Sequence, residues 1–390
     1  MKIVVDENIP FGREAFGQLG DVRTVRGRTM DAAAVRDADL LIVRSVTRVG
    51  RQLLEGSRVR FVGTCTIGTD HVDEAYLRER GIAFASAPGC NANSVAEYIV
   101  AALLVLARRG GYGLEGKTIG VVGVGNVGGK VVAKCEALGM RGLRNDPPLA
   151  RANPDDKRFL PLESLMDADF ITLHVPLVRE GPDKTIHLAD RAFLKRMKSG
   201  AVLLNSSRGA VLDNEAAVEC GRTRSGPMLV LDVWEGEPNP NIELLQQSAL
   251  ATPHIAGYSY DGKVNGTTMI YEAACDFLRR TGGGNPPSLD LSALMPTSPH
   301  ATLPIEAAGR DDEDVLRAAA LTVYDIEADD RRLRAIAGLP TGERAAYFDR
   351  LRREYPQRRE FQNTTIFLKG GRPALRDKLN GIGFKVRTSE

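Results

Sequence analysis

The stretch TIGVVGVGNVG, residues 118–128, decides the fold of the chain around it. Its first half, Thr118–Val122, is an apolar run that predicts a buried β-strand. Its second half is a G-x-G-x-x-G built on Gly123, Gly125 and Gly128, and a helical pattern follows it. A strand, a glycine turn and a helix in this order are typical of the dinucleotide-binding fingerprint.

The glycines of this loop allow the chemistry of cofactor binding. They permit a tight turn and a close approach of the backbone to a pyrophosphate, and the start of the helix offers unpaired N–H groups to that anion. Asp146, eighteen residues past Gly128, is suited to accept both ribose hydroxyls and to repel a 2′-phosphate. This favours NAD over NADP as the cofactor. A glycine-rich turn without a ligand is the alternative.

Short apolar strands alternate with helical segments on both sides of the loop, as in parallel β/α units. Residues 94–257 are therefore predicted to form a Rossmann-type NAD-binding domain of the α/β class. Residues 1–93, together with the helical segment 258–284, are predicted to form a flavodoxin-like substrate-binding domain. The Gly282–Pro287 run is the clearest linker, and an additional α+β C-terminal dimerisation domain is predicted at 288–380.

The C-terminal region differs in character from the rest of the chain. Arginines are dense in it, but acidic residues are interleaved with them, so a solvated helical face and a self-association domain both remain open. Phe348, Leu351 and Tyr355 recur at helical spacing and predict a buried face there. We therefore expect a homodimer joined mainly through this region.

The composition of the 390 residues argues against several classes of function. Lys and Arg number 52 against 50 for Asp and Glu, which gives no electrostatic reason to expect a nucleic-acid or membrane partner. The five cysteines are scattered without a metal-binding spacing, so no metal site is predicted. A strand rather than a signal peptide opens the chain, and we expect a cytoplasmic protein with reduced thiols.

Three chemically distinct side chains each follow a predicted strand of the second α/β unit. They are Arg208 in the segment NSSRG, Glu237 in DVWEGEP and His254 in TPHIAG. Ligands of open α/β sheets bind at the carboxyl ends of the strands, so the three segments predict a single site.

These side chains suit the oxidation of a hydroxyl group beside a carboxylate. We expect His254 to take the hydroxyl proton while hydride leaves to the nicotinamide, Glu237 to hold the imidazole, and Arg208 to grip the carboxylate with a two-pronged hydrogen bond. Singly, each has an ordinary structural explanation: a surface ion pair, a turn before Pro238 or a core histidine. Their order behind a dinucleotide loop favours catalysis. His174, which follows another strand, is expected near the cofactor and not as the base.

These segments, together with TLHVPL at 172–177, resemble the D-isomer-specific 2-hydroxyacid dehydrogenase family over nearly residues 1 to 280. The motifs TIGTDHVD at 66–73, SAPGCNA at 86–92 and GYS at 257–259 narrow the resemblance, as does the extra C-terminal region. They are similar to the branch that oxidises 4-phospho-D-erythronate with NAD⁺ in pyridoxal 5′-phosphate biosynthesis. The resemblance implies a homodimer joined through the C-terminal domain.

The resemblance also implies roles for residues at matching positions. Substrate would contact Ser45, Thr66 and Tyr258, and the pyrophosphate would lie on Asn126 and Val127. The remaining implied NAD contacts are Asp146, Val175, Ser206, Ser207, Arg208, Asp232 and Gly257. Position 175 is valine where many relatives have threonine, so its contact would come from the backbone. Arg144, close to Asp146, weakens the case against NADP.

A phosphorylated substrate needs cationic or N–H-rich groups in the N-terminal domain. Arg44 and Ser45 follow one predicted strand and Thr66 follows the next, where such a site is expected. A surface arginine is the alternative for Arg44. For the whole chain, two rival functions remain: another D-2-hydroxyacid dehydrogenase, of phosphoglycerate or glycerate type, and a non-catalytic NAD-sensing protein.

Overall fold

The computed structural model describes residues 1–223 and 226–389, and the chain divides into two compact units. The first unit comprises residues 1–91 and 260–297. The second comprises residues 92–259 together with the chain from residue 298 onward. Each unit is built on a parallel sheet flanked by helices, which confirms the α/β class predicted from the sequence.

The first unit begins with five strands that alternate with short helices. In chain order these are β1 (Lys2–Asp6), α1 (Gly12–Phe16), β2 (Asp21–Val25), α2 (Ala32–Val35), β3 (Leu40–Val43), α3 (Arg51–Leu54), β4 (Phe61–Thr64), α4 (Glu74–Glu79) and β5 (Ala83–Ala85). The strands pair in parallel in the order β2-β1-β3-β4-β5, which is the flavodoxin-like order. The connection changes direction between β1 and β3, and ligands of such sheets bind at the carboxyl ends of the strands near that point.

The second unit begins with a long helix and a six-stranded parallel sheet. Its elements are α5 (Ala92–Gly110), β6 (Thr118–Val122), α6 (Asn126–Ala137), β7 (Arg141–Asn145), α7 (Pro147–Ala152), β8 (Phe170–Leu173), α8 (Arg191–Arg196), β9 (Val202–Asn205), α9 (Asn214–Thr223), β10 (Met228–Leu231), α10 (Ile242–Gln247) and β11 (Leu250–Ala251). The strand order is β11-β10-β9-β8-β6-β7. A single parallel bridge between Arg144 and Phe159 stands where a Rossmann sheet has its third strand.

Helix α5 is buried along nearly its whole length, because it packs against α6 on one side and against C-terminal elements on another. Its apolar sequence therefore reflects burial inside the protein. Among the helices described, none combines the length and the apolar character that crossing a membrane requires.

Helix α11 (Tyr260–Arg280) returns the chain to the first unit and packs on β4. Gly63 makes this close packing possible, because a Cβ at that position would lie only 2.3 Å from the Ile270 side chain. Phe277 of α11 then meets Phe61 of β4, with the ring centroids 5.4 Å apart.

The chain beyond residue 298 adds a second, smaller sheet and four helices to the second unit. These are β12 (Thr302–Glu306), α12 (Asp312–Val323), α13 (Ile326–Arg334), α14 (Thr341–Arg353), β13 (Thr365–Lys369), α15 (Pro373–Gly381) and β14 (Lys385–Ser389). The three strands pair in parallel in the order β12-β13-β14. Ile305, Ile366 and Leu368 point inward and share a core with α5 and α6.

Helix α14 has the buried face that its sequence predicts, and residues of the same unit fill it. Phe348 is fully buried in the cluster that contains the strand residues Leu203 and Leu229, and Leu351 packs against that cluster. These apolar positions therefore stabilise the chain itself. Their spacing is not evidence for a contact with a second copy, so that part of the argument for a dimer is wrong.

Helix α13 is joined to the edge of the six-stranded sheet by polar contacts. Asp330 accepts a hydrogen bond of 2.7 Å from the backbone N–H of Ala251 in β11. Arg334 pairs with Asp330 at 2.8 Å and donates to the carbonyl of Ser248 at 2.7 Å. The C-terminal region is thus attached to the sheet by a partly buried ion pair as well as by its apolar core.

Candidate active site

The glycine loop between β6 and α6 has the shape that a pyrophosphate needs. Gly123 has a φ of +84°, and a Cβ there would lie 2.5 Å from the carbonyl oxygen of His174. A Cβ at Gly128 would lie 1.9 Å from the carbonyl oxygen of Gly123. By contrast, apart from its two chain neighbours, no described residue has an atom within 4 Å of a Cβ placed on Gly125, so the backbone there faces open space. Helix α6 begins at Asn126 without a side-chain cap, which leaves the N–H groups of its first turn for an anion.

Asp146 lies at the end of β7 and connects the glycine loop to the following helix. One carboxylate oxygen accepts the N–H of Val124 at 2.8 Å, and the other caps α7 by accepting the N–H of Leu149 at 3.0 Å. On the other side of the loop, the Val175 side chain lies 2.8 Å from the Cβ position of Gly123. The loop, Asp146 and Val175 therefore form one cradle, and these residues fit the NAD-type cofactor that the sequence predicts.

His254 and Glu237 form a hydrogen-bonded pair. The Nδ1 atom of His254 lies 2.8 Å from Oε2 of Glu237, and the backbone N–H of Trp234 donates to the other carboxylate oxygen at 2.9 Å. Burial acts to raise the pKa of Glu237, but His254, the charge of Arg352 and the Trp234 N–H outweigh it and lower that pKa. The carboxylate is therefore ionised near neutral pH and fixes the imidazole, so that Nε2 is the basic nitrogen.

The loop that carries His254 is held by a buried carboxylate. Asp232 is 1% exposed, and its two carboxylate oxygens accept the N–H groups of Ile255 and Ala256 at 2.8 and 2.9 Å. The hydroxyl of Thr252 donates to the same carboxylate at 2.7 Å. His254 adopts a φ of +57°, an uncommon conformation for a residue with a side chain, and these bonds hold it there.

The segment that carries Arg208 packs against the segment that carries Glu237. A Cβ on Gly209 would lie 2.0 Å from the backbone carbon of Trp234, so only glycine permits this approach. Asn205 donates to the carbonyl of Arg208 at 2.9 Å, and the guanidinium of Arg208 donates to the carbonyl of Ser207 at 2.8 Å. Local hydrogen bonds thus set the backbone from which the arginine extends.

The three segments meet because their strands are neighbours in the sheet. Leu231 of β10 stands in register with Asn205 of β9 on one side and with Ala251 of β11 on the other. The residues that follow these positions therefore leave the sheet at the same edge. Ser206, Ser207, Arg208, Asp232, Gly257 and Tyr258 all lie in these segments.

The remaining predicted substrate residues lie in the first unit, at the ends of two paired strands. Arg44 follows β3, and its Nε atom lies 3.3 Å from a carboxylate oxygen of the fully buried Asp6. Ser45 beside it is exposed. Thr66 follows β4, and its hydroxyl lies 2.8 Å from that of Thr64. Because β3 pairs with β4, these groups share one edge of the first sheet.

Sequence patterns do not single out three residues that organise these sites. Asn205 accepts the N–H of Ser207, two residues on, at 3.1 Å, an Asx turn for which an asparagine at a strand end is the signal. Trp234 holds Glu237 through its backbone, and its indole N–H donates to the carbonyl of Thr252 at 3.0 Å. In the first unit, His71 lies 3.0 Å from the Thr64 hydroxyl.

His174 does not have the environment of a catalytic base. Its Nε2 atom lies 2.9 Å from the Thr172 hydroxyl, and its buried Nδ1 finds no hydrogen-bond partner among the described residues. Burial lowers the pKa of His174 to about 3, so the ring stays neutral. Within the described ranges, no three or more His, Cys, Asp or Glu side chains are grouped in a way that would hold a metal ion.

A doubly wound sheet, a glycine loop and a histidine–carboxylate pair at the strand ends together define an NAD-binding dehydrogenase. The family model described as "D-isomer specific 2-hydroxyacid dehydrogenase, NAD binding domain" matches residues 104–256, and a model for a domain of unknown function matches residues 294–383. The class of the protein is therefore that of the D-2-hydroxyacid dehydrogenases.

Comparison of the whole chain with known proteins identifies a particular family within this class. The erythronate-4-phosphate dehydrogenase of Cronobacter sakazakii is 48% identical over 99% of this chain and 98% of its own. That of Edwardsiella ictaluri is 47% identical over the full length of both chains. The chain belongs to the erythronate-4-phosphate dehydrogenase family.

Solved structures of shorter dehydrogenases share the fold. The NAD⁺-bound 3-phosphoglycerate dehydrogenase of Entamoeba histolytica aligns with a TM-score of 0.63 at 26% identity, covering 73% of this chain and 96% of its own. The TT0316 protein of Thermus thermophilus aligns with a TM-score of 0.60 at 29% identity, covering 74% and 99%. Both structures leave about a quarter of this chain without a counterpart.

Replacing His254 tests its role as the base. We expect His254→Ala to lower kcat by about 10²–10⁴-fold, because a positioned general base contributes that much to proton transfer. NADH affinity, followed by quenching of the single tryptophan, Trp234, should stay unchanged. The matched control is His187→Ala, since His187 also pairs with a carboxylate, Glu235, at 2.9 Å but on the surface. Retention of most of kcat in His254→Ala would remove it from the base role.

Proposed function

We propose that this protein oxidises 4-phospho-D-erythronate to (R)-3-hydroxy-2-oxo-4-phosphooxybutanoate with NAD⁺, as a step of pyridoxal 5′-phosphate biosynthesis. The observation that carries the proposal is the His254–Glu237 pair, 2.8 Å apart, beside the Arg208 segment at the strand ends. The relatives that bear the corresponding name match the chain from end to end, which supports the choice of substrate.

Side chains of the second unit take up the proton of the substrate hydroxyl and bind the substrate carboxylate. Oxidation removes a hydride from C2 and a proton from its hydroxyl, and bound NAD⁺ supplies the hydride acceptor. Nε2 of His254 takes the proton, because Glu237 holds Nδ1 and stabilises the imidazolium that results. Arg208 binds the adjacent carboxylate through two parallel hydrogen bonds and orients C2.

For the cofactor we propose that the glycine loop binds the pyrophosphate and that Asp146 binds a ribose. The open space at Gly125 and the uncapped start of α6 at Asn126 and Val127 support the first assignment. The position of the Asp146 carboxylate, hydrogen-bonded to Val124 of the loop, supports the second.

For the substrate we propose that Arg44, Ser45, Thr66 and Tyr258 add contacts. In the first unit, Arg44 and Thr66 end paired strands, and Asp6 orients the guanidinium of Arg44. An arginine and two hydroxyls suit a phosphate, which is charged near neutral pH and needs several donors.

Substrate preference distinguishes the proposed function from a phosphoglycerate or glycerate dehydrogenase and from an NAD-sensing protein. NADH formation from 4-phospho-D-erythronate, D-3-phosphoglycerate and D-glycerate should be measured under identical conditions with NAD⁺. We expect kcat/KM to be highest for 4-phospho-D-erythronate. A higher value for phosphoglycerate or glycerate would assign the chain to one of the rival dehydrogenases. NADH binding without turnover of any of the three would indicate an NAD sensor.

A second prediction concerns cofactor choice. Asp146→Asn keeps an acceptor for capping α7 but removes the charge that repels a 2′-phosphate, so we expect the kcat/KM ratio of NADP⁺ to NAD⁺ to rise by at least about tenfold. Asparagine is used because its amide oxygen can still accept the N–H of Leu149, whereas alanine would release the N–H groups of both Val124 and Leu149. Equal kcat/KM values for the two cofactors in the unaltered protein would contradict the proposal.

We further propose that the protein is a cytoplasmic homodimer joined through the C-terminal sheet. Its five cysteines are buried free thiols, as expected in a reducing compartment. Phe367 is 39% exposed on the outer face of β13, in register with Pro304 and Arg387 of the neighbouring strands. An aromatic ring exposed on a central strand suits contact with a second copy.

Sedimentation of the full chain tests the dimer. We expect a mass twice the 42.3 kDa of one chain, and we expect Phe367→Asp to yield monomers, because a charge at the centre of an interface is costly to bury. Leu294→Asp is the matched control, since Leu294 is 47% exposed but lies in the first unit. A Phe367→Asp variant that remained dimeric would place the interface elsewhere.

A further inference from the structure

The C-terminal region brings an arginine to the candidate active site within the second unit. Helix α14 is anchored by Phe348, which is fully buried, and by Leu351. In the last turn of the helix, the guanidinium of Arg352 lies over the ring of Tyr258, 5.6 Å from its centroid. The nearby Tyr258 hydroxyl, together with Glu237, helps to raise the pKa of Arg352.

The surroundings of Arg352 belong to the catalytic segment. Tyr258 is part of the turn that begins at the His254 loop, since its N–H donates to the carbonyl of Ile255 at 2.8 Å. The Tyr355 ring packs edge-on against the Tyr258 ring at 5.8 Å and holds it in place. The charge of Arg352 also reaches Glu237, where it helps to lower the pKa of that carboxyl.

Arg352 differs from several arginines of its region, because it has no carboxylate within ion-pair distance in the part of the chain that the structure describes. Arg332 and Arg334 pair with Asp329 and Asp330, and Arg353 pairs with Glu354. The side chain of Arg352 is half-buried, and its Nε atom is buried without a hydrogen-bond partner among the described residues. A cation withdrawn from water in this way is stabilised when an anion binds to it.

The proposed substrate supplies two anionic groups. Its carboxylate must lie beside the reacting carbon and is assigned to Arg208. Its phosphate, two carbons further along, carries up to two charges and three acceptor oxygens and takes donors from more than one side chain. Tyr258, already proposed as a substrate contact, lies against Arg352.

We propose that Arg352 is a substrate-binding residue that holds the phosphate of the phosphorylated hydroxyacid, an inference that rests on the function proposed above. The region that carries it, matched at 294–383, is separate from the dehydrogenase match at 104–256. The C-terminal region thus contributes directly to substrate choice, in addition to its part in the core.

Paired substrates test this assignment. We expect Arg352→Gln to lower kcat/KM for 4-phospho-D-erythronate on the order of 10²-fold, as expected for loss of a charged partner. The loss for unphosphorylated D-erythronate should be much smaller, because only the effects through Glu237 and Tyr258 are common to both substrates. Arg352→Lys should recover part of the loss, because it keeps the charge but not the planar pair of donors. Arg353→Gln, one residue further on and exposed, should behave like the unaltered protein. Equal losses on both substrates, or no loss, would overturn the proposal.

A binding measurement separates failure of this inference from failure of the proposed function. Inorganic phosphate is titrated into the NADH complex while the fluorescence of Trp234 is followed. Trp234 is the only tryptophan and is hydrogen-bonded to Glu237. If the unaltered protein fails to oxidise 4-phospho-D-erythronate, the proposed function falls. Weaker phosphate binding in Arg352→Gln would still support Arg352 as a phosphate ligand, and unchanged binding would refute it.

Discussion

The carboxylate of Asp232 fixes the geometry on which the second unit's chemistry depends. It is almost completely buried, and it accepts hydrogen bonds from the Thr252 hydroxyl and from the N–H groups of Ile255 and Ala256. Thr252 is itself 2.9 Å from the hydroxyl of Tyr98 on α5, which ties the same carboxylate to the helix at the centre of the unit. A buried charge is tolerated here because each oxygen has backbone donors.

This arrangement explains why His254 and Glu237 need little support of their own. Asp232 holds the loop after β11 through its hydrogen bonds. Trp234 holds the segment after β10, because its backbone N–H donates to Glu237 and its indole N–H donates to the carbonyl of Thr252. The two partners of the proton-transfer pair are therefore fixed by separate strands that share a register. Preorganisation of this kind places a base without rearrangement during the reaction.

Much of this fold follows from local sequence patterns. The apolar strands and the glycine loop are visible because a buried parallel strand is a continuous apolar run, and because Gly123 and Gly128 leave no room for a side chain. Arg208, Glu237 and His254 are visible because each follows such a strand. Strand β7 cannot be recognised in this way, because its sequence, RGLRN, carries two arginines and resembles a surface segment.

Contacts between distant parts of the chain are not visible in the sequence. Arg352 is one arginine among many in its region, and its position against Tyr258, ninety-four residues earlier, depends on how α14 packs. The apolar spacing of α14 predicts a buried face but not what covers it, and Phe348 turns inward to its own unit. The sequence likewise does not reveal the partner of Glu97 of α5, which accepts the N–H of Phe361 at 2.9 Å across the buried core.

The contact of Asp330 with Ala251 has a consequence for the behaviour of the protein at high concentration. Strand β11 is an outermost strand, and the backbone donors and acceptors of such a strand are a template for pairing with strands of other molecules. Asp330 occupies the N–H of Ala251, and α13 covers that border of the sheet. The C-terminal region therefore also opposes edge-to-edge pairing of this sheet with sheets of other molecules.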